Sequence, residues 1–363
     1  MPDRHMIGWD VGGAHLKACV LRHGRVVDVA EWACPLWQGL DRLDAALDAA
    51  LARWPWAATV ATHAATMTGE MVDLFDDREA GVARIAARLA GRLAGVTFYA
   101  GASGWCDAGE VAARWAAIAS ANWHATAQHA ALQCDAAGGV LVDIGSTTTD
   151  LIAFRDGQVA TTDGGDHERL ASGALVYQGV VRTPLCALAP RIEWRGSSVN
   201  VMNELFATTA DVYRLTGELA GAHDLQPAAD GGAKDADATR RRLARMIGLD
   251  ARDADAYAWL ALARAWRAAQ VAEIAGQLRR VVHDHGLERG VQVVAAGCGA
   301  FLVEDVVTAA VGRERPWRAF GYGRDVAAVA ADAAGGDRTV IEAWCDVCAP
   351  AVAVAALLDR EHG

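Results

Sequence analysis

Proline is scarce in this 363-residue chain, at 8 residues, and its 34 Lys and Arg are outnumbered by 45 Asp and Glu. So few prolines in a chain that is 53% apolar excludes a largely disordered polymer and favours helix over most of the length. A formal net charge of -11 excludes a broad basic surface able to neutralise a nucleic-acid backbone or an anionic membrane. Any anionic ligand must therefore be held locally, by backbone amides, a few cations or a metal. No apolar run reaches the length of a membrane span, and no secretory-type leader precedes Ile7, so the expectation is a cytoplasmic protein with neither a membrane nor a nucleic-acid partner. The eight cysteines are scattered. Cys345 and Cys348 form a lone C-x-x-C with no second pair to complete a zinc site, and ordinary helix packing is their expected role.

The length suits two domains, and the chain carries an internal duplication. Shifted by 133 positions, the segment from Ile7 to Val26 falls on the segment from Val140 to Val159. Asp10 then meets Asp143, Gly12 meets Gly145, Arg22 meets Arg155, Gly24 meets Gly157 and Val26 meets Val159. Each copy reads as a buried strand ending in Asp, a glycine-containing turn, a second strand, a two-residue hairpin signal (His23-Gly24 or Asp156-Gly157) and a third strand. After the first copy the pattern predicts a helix at 40–54, a strand at 58–64, a helix at 78–94 and a strand at 96–99. The second half predicts helices at 201–219 and 253–283 and a strand at 291–295. In the long helix Trp259, Leu262 and Trp266 take the spacing of a core stripe. The segment 226–237 reads as an exposed loop, the edge of a mobile lid. The junction falls near 136–139, giving lobes of residues 1–138 and 139–363, the second with a helical insertion at about 200–285; the last helix is a candidate to pack back on the first lobe.

Turns built from Gly, Ser and Thr let several N–H groups converge on one anion without a positive side chain. DVGGAHLK (Asp10 to Lys17) and DIGSTTTD (Asp143 to Asp150) both supply such turns. The Asp at each strand end is placed to hold Mg²⁺ through water, since a hard divalent ion prefers carboxylate oxygen and keeps its hydration. The expected phosphate-binding groups are Gly12, Gly13, His15, Gly145, Ser146, Thr147 and Thr148. A third element, AAGCGAF (Ala295 to Phe301), runs from a strand through Gly297 and Gly299 into a helix, another candidate for close backbone approach to a phosphate.

These motifs resemble the two phosphate loops of the actin, hexokinase and heat-shock-ATPase superfamily. The resemblance implies an α/β, two-lobed actin-like ATPase (ribonuclease H-like) fold with duplicated β-meander hairpins and a central cleft. The superfamily's adenosine motif would fall at Gly297 to Ala300, where the usual adjacent glycine pair is interrupted by Cys298. More narrowly, THAATMTGEM (Thr62 to Met71), ASANWHATA (Ala119 to Ala127), DIGSTTTD, GVVRTPLCALAP (Gly179 to Pro190) and TADVYRLTGEL (Thr209 to Leu219) resemble hydantoinase/oxoprolinase-like synthases of methanofuran assembly, linked to tetrahydromethanopterin one-carbon pathways.

That resemblance implies a transferase. The phenol of a γ-glutamyl tyramine- or tyrosine-type acceptor would displace diphosphate from an aminomethylfuran-methyl diphosphate, forming an aryl ether. Asp10 and Asp143 would hold the Mg²⁺, with Lys17 and Arg182 adding fixed positive charge to the leaving group. The acceptor's proton calls for a base, for which Asp166 in DGGDHE, its neighbour His167 and then His15 are the candidates. Asn122, Trp123 and His124 would line the acceptor pocket, with Trp123 as core and Asn122 as a helix cap the competing reading. The implied partners are the diphosphate substrate and the phenolic acceptor, and a homodimer is compatible. The same loops also suit an ATP-dependent small-molecule kinase or a hydantoinase/oxoprolinase-type amidohydrolase, with ATP as the less favoured ligand, or a non-catalytic ATPase-like scaffold or reactivating subunit.

Overall fold

A computed structural model describes residues 5–161, 164–287, 291–312, 317–333 and 336–362. Fourteen strands occur among them: β1 (His5–Val11), β2 (His15–Arg22), β3 (Arg25–Ala33), β4 (Ala61–Met67), β5 (Thr97–Tyr99), β6 (Trp105–Cys106), β7 (Gly139–Ile144), β8 (Thr149–Arg155), β9 (Gln158–Val159), β10 (Leu175–Val176), β11 (Arg191–Trp194), β12 (Ser197–Asn200), β13 (Gln292–Ala296) and β14 (Arg318–Gly321). The first sheet runs β3-β2-β1-β4-β5-β6 and the second β10-β8-β7-β13-β14, with β9 also on β8. In both, two antiparallel neighbours flank the leading strand on one side and parallel strands on the other. This duplicated, two-lobed α/β arrangement is the actin-like fold.

The duplication extends to register. Asp10 lies opposite Lys17 and Asp143 opposite Asp150. Gly12 N–H donates to His15 O at 2.9 Å and Gly145 N–H to Thr148 O at 2.8 Å. Both His23-Gly24 and Asp156-Gly157 adopt positive φ throughout, the backbone twist a tight two-residue hairpin needs.

Local chemistry sets the helices. Asp77 caps Arg78–Arg92 by accepting from Ala80 N, and Val82, Ile85, Ala86 and Leu89 form its buried stripe. Asp255 caps the long helix Ala256–Asp284. Its Trp259, Leu262 and Trp266 are buried, with Trp259 stacked on Trp194 at 4.9 Å. Two expectations shift. The strand expected at 58–64 begins later, because Ala57–Val60 form one helical turn before β4. The helix expected at 201–219 is confined to Thr209–Thr216, since Thr208 and Asp211 make a reciprocal capping box and Thr208 pairs with Pro184. The segment 226–237 is an exposed loop over most of its length, as expected, and it is anchored: Gln226 is buried and bonded to Ala14 O and His15, Asp230 pairs with Arg242, and Asp235 caps the helix Ala236–Arg245.

Two helices cross between the sheets. Asn122–Gln133, which precedes the second sheet in sequence, packs on β7, β8 and β9; Ala349–His362, at the other end of the chain, packs on β1, β2 and β4. Between them lies a core that draws on both sheets. Gly8 permits this docking, since a Cβ there would sit 1.9 Å from Ala351 O and 2.9 Å from Ala355 Cβ. Cys345 and Cys348 are fully buried at the end of Arg338–Val347, and all eight cysteines are unpaired. Among the described residues no single helix is long and apolar enough to cross a membrane.

Gly8→Ala should therefore destabilise the chain by about 1–3 kcal/mol, the usual cost of overpacking, because the clash is with backbone. Gly91→Ala, at a helical site with nothing within 4 Å, should instead stabilise by about 0.4–1 kcal/mol. Denaturant midpoints of the two variants check the contrast, and a Gly8→Ala midpoint equal to wild type would refute the docking constraint.

Candidate functional site

Both hairpin bends open on one cavity of about 540 Å³. The first contributes Asp10, Gly12, Gly13, His15 and Lys17; the second contributes Asp143, Gly145, Ser146, Thr147 and Thr148. Arg182, Asp166 and Asn122 line it as well. The two strand-end carboxyls therefore line one shared cavity. Burial raises Asp10 to about 6, against the pull of Lys17. Asp143 is raised to about 7 by burial and then by Asp150. Lys17 feels burial most, which opposes its charge, yet Glu31 and Asp10 outweigh it and hold the ammonium above its ordinary range. One of its protons goes to Val347 O at 2.9 Å.

The Arg182 loop is welded to the second hairpin. Val181 and Arg182 N–H groups donate to Ser146 O, and Val180 N–H donates to Gly145 O. Gly179 lies so close to the Ser146–Thr147 peptide that a Cβ would fall 2.4 Å from it. Its carbonyl accepts from Thr183, Thr209 and Gln270. Two of the motifs quoted above, GVVRTPLCALAP and TADVYRLTGEL, thus converge with the long helix on one carbonyl. Arg182 donates to Thr147 Oγ1 at 3.3 Å and stacks 5.1 Å from the Trp37 ring of the first lobe. Among the described residues it pairs with no carboxylate, and burial lowers its pKa, so its charge is open to an anion.

Mg²⁺ fits this donor set. Asp10 Oδ1 is buried with no hydrogen-bond partner among the described residues, a vacancy a cation's water shell would fill. No cluster of three His, Cys, Asp or Glu suited to enclosing a metal occurs among them. Two carboxylates plus waters suit Mg²⁺ better than a fully enclosed ion.

Other expected residues differ from their expected place or role. Gly297 N–H donates to Asp346 O and Gly299 N–H to Ile144 O; neither glycine lines the cavity, because this turn closes on the back of the Asp143 strand. His15 is kept neutral, with a pKa near 3 from burial and then Lys17, and Gln226 holds its ring, so it brings no positive charge to a phosphate. His167 is exposed and off the cavity lining. Asn122 lines the cavity and is not a cap, since Ala121 precedes the helix as its cap residue. Trp123 is buried beneath Arg169, 4.6 Å from its guanidinium, and His124 bonds to Tyr99 Oη at 2.9 Å; neither reaches the cavity. Asp163, at the start of the DGGDHE segment, lies outside the described residues.

Arg169 is the main residue the sequence did not single out. Only 3% exposed, it pairs with Asp150 and with Asp166, the latter at 2.6 Å. The second hairpin carries Asp150 where the first carries Lys17, so it needs a cation from outside the repeat. The spacing of Asp166 and Arg169 three apart on a short helix was the available signal. Trp37, Met71 and Tyr177 give the mouth an exposed apolar rim.

The raised carboxyls fix a pH dependence. Unfolded, they titrate near 4; folded, they keep protons to about 6 and 7, so their contribution to stability falls as pH rises through that window. Buried neutral histidines such as His63, held near 4 by burial, act in the opposite direction. A difference measurement separates the two: in chelator, Asp143→Asn should gain stability relative to wild type steadily from about pH 4 to 7, and Mg²⁺ should shrink the gap. A pH-independent difference would mean that Asp143 ionises normally.

Comparison with known proteins agrees with this architecture. An acetone carboxylase, in a nucleotide-free structure, superposes with a TM-score of 0.55 at 11% identity, over 85% of this chain and 67% of that one, which is a likeness of fold. The (4-{4-[2-(gamma-L-glutamylamino)ethyl]phenoxymethyl}furan-2-yl)methanamine synthase of Methanocaldococcus jannaschii is 29% identical over 246 residues, 68% of this chain and 72% of that protein. A protein of the same name from Methanococcus vannielii is 28% identical over 169 residues, 47% of this chain and 74% of its own. Residues 61–315, which carry the second hairpin, the Arg182 loop and the long helix, match the hydantoinase/oxoprolinase family, and the chain belongs to that family.

Proposed function

We propose that the chain is a synthase of methanofuran-type cofactor assembly, a cytoplasmic transferase that joins the phenol of a γ-glutamyl tyramine- or tyrosine-type acceptor to an aminomethylfuran-methyl diphosphate. The observation that carries the reading is the convergence of two amide-rich bends, two strand-end carboxyls and an unpaired Arg182 on one cavity. The names of the two archaeal relatives describe the ether product, a γ-glutamylaminoethyl phenol joined to an aminomethylfuran; the diphosphate leaving group is what the family resemblance implies. Unpaired cysteines throughout agree with a reducing compartment.

In this reading the methylene C–O bond breaks, its electron pair leaves with diphosphate, and the phenol oxygen bonds to the carbon. Bound between Asp10 and Asp143, Mg²⁺ would neutralise charge on the leaving group. Amides of Gly13 and Ser146 to Thr148 cradle the phosphate oxygens, the Gly12 N–H being held by His15 O within its own hairpin, and Lys17 and Arg182 add fixed charge. The proton passes to Asp166. The oxygen it serves becomes strongly acidic as the ether bond forms, so a carboxylate suffices. An ATP-dependent reading finds less support, because Gly297 and Gly299 pack behind Asp143, outside the cavity.

Mass spectrometry of a reaction with the furan-methyl diphosphate, candidate phenols and Mg²⁺ should find the ether and diphosphate without ATP; a strict ATP requirement would reject the reading. Asp143→Ala should lower turnover by about 10²–10³ with an unchanged circular dichroism spectrum, and near-normal turnover would remove the metal role. Arg182→Ala should raise the inhibition constant of diphosphate by about tenfold while leaving the acceptor's KM in place; an unchanged constant would exclude that contact.

A further inference from the structure

Beside the cavity, Ser120 Oγ lies 2.7 Å from Glu70 Oε1 and 3.2 Å from Asp166 Oδ2. A serine hydroxyl has one proton to donate, and an ionised carboxylate can only accept. With both acids ionised, one of these contacts would set lone pair against lone pair. Both become hydrogen bonds when one carboxyl carries a proton.

The surroundings decide which one. Asp166 faces the cavity and takes a direct contact from Arg169 Nη2 at 2.6 Å. Glu70 is 1% exposed, its Oε2 has no hydrogen-bond partner among the described residues, and the nearest cation, Arg78, stays 3.8 Å from Oε1. An ionised Glu70 would leave a bare charged oxygen in the interior. Burial pushes its pKa up, opposed by the Ser120 and Arg78 contacts and reinforced by Asp166. The placement is tightly built. Ser120 holds a φ of 50°, a conformation non-glycine residues rarely adopt, which is common where function demands geometry. Glycine at position 81 lets the helix Arg78–Arg92 close directly on the Glu70 backbone.

We propose that Glu70, Ser120 and Asp166 share one proton, resident on Glu70, so that Glu70 donates to Ser120 and Ser120 donates to Asp166, fixing Asp166 as the ionised, oriented member that faces the substrate. Glu70 and Ser120 are positioning residues. No proton is consumed: the one taken from the acceptor goes to the charged Asp166 and leaves with solvent exchange after product release. The kinetic half of this inference rests on the reading of Asp166 as acceptor base, whereas the protonation of Glu70 does not.

Infrared spectra of the whole chain at neutral pH, compared with Glu70→Gln, test the proton directly. Beyond the bands that Asp10 and Asp143 give in both proteins, a protonated-carboxyl stretch, shifted in D₂O, should appear in the wild-type-minus-variant difference spectrum; its absence from that difference overturns the proposal whatever the activity. Kinetics test the positioning. Ser120→Ala and Glu70→Ala should each lower kcat by about tenfold with KM for the diphosphate unchanged. Glu70→Gln, whose amide donates as the acid does, should recover most of the loss. An unaltered kcat in Ser120→Ala, or equal losses in Glu70→Gln and Glu70→Ala, overturns the positioning role. Should Glu70→Ala fail to fold, Ser120→Ala and Glu70→Gln still decide. A chain that makes no ether with any acceptor sinks the functional reading alone, and the infrared band still reports on Glu70.

Discussion

Two carboxyls are brought to the ends of equivalent strands, one in each sheet, on one shared cavity, and most of the site answers that constraint. Asp10 and Asp143 retain protons well above the normal carboxylate range because burial disfavours their charged forms. Lys17, Arg182 and the hairpin amides make the same space favourable to an anion. Among the described residues the Asp10 oxygen has no hydrogen-bond partner and Arg182 has no carboxylate, and in the proposed reading a cation and a polyphosphate entering together would supply both.

Exact duplication of the backbone hides a chemical asymmetry. Registers and turn bonds repeat residue for residue, yet Lys17 in the first copy becomes Asp150 in the second. The second lobe compensates with Arg169, drawn from a short helix and seated on Trp123. That arginine also holds Asp166, so the balancing of one buried carboxylate organises one side of the cavity. Through Ser120 the same network reaches Glu70 in the first lobe, tying the two halves together at the cavity wall.

Rigid loops do the positioning. The carbonyl of Gly179 gathers Thr183, Thr209 and Gln270, so the long insertion helix sets where Arg182 points. Opposite it, Gln226 reaches from the insertion to His15. A polar, glycine-bearing segment suggested a mobile edge; burial of one glutamine and an aspartate pair with Arg242 make it a strut.

Repeated Asp-Gly turns and the strand-turn-strand periodicity were enough to specify the two β-meanders, their hairpin bends and the strand-end carboxyls, because these depend on local backbone preference and on residues close in sequence; the two-lobed fold came from the resemblance of the motifs. The packing role of Trp259 and Trp266 follows from the same short-range rules. Arg169 beneath Asp150, the exclusion of Trp123, His124, Gly297 and Gly299 from the cavity, and the Glu70–Ser120–Asp166 contact were decided by tertiary structure alone. Their partners lie tens to hundreds of positions apart, and one helical turn or a glycine's close approach determines whether a side chain meets the ligand or the core.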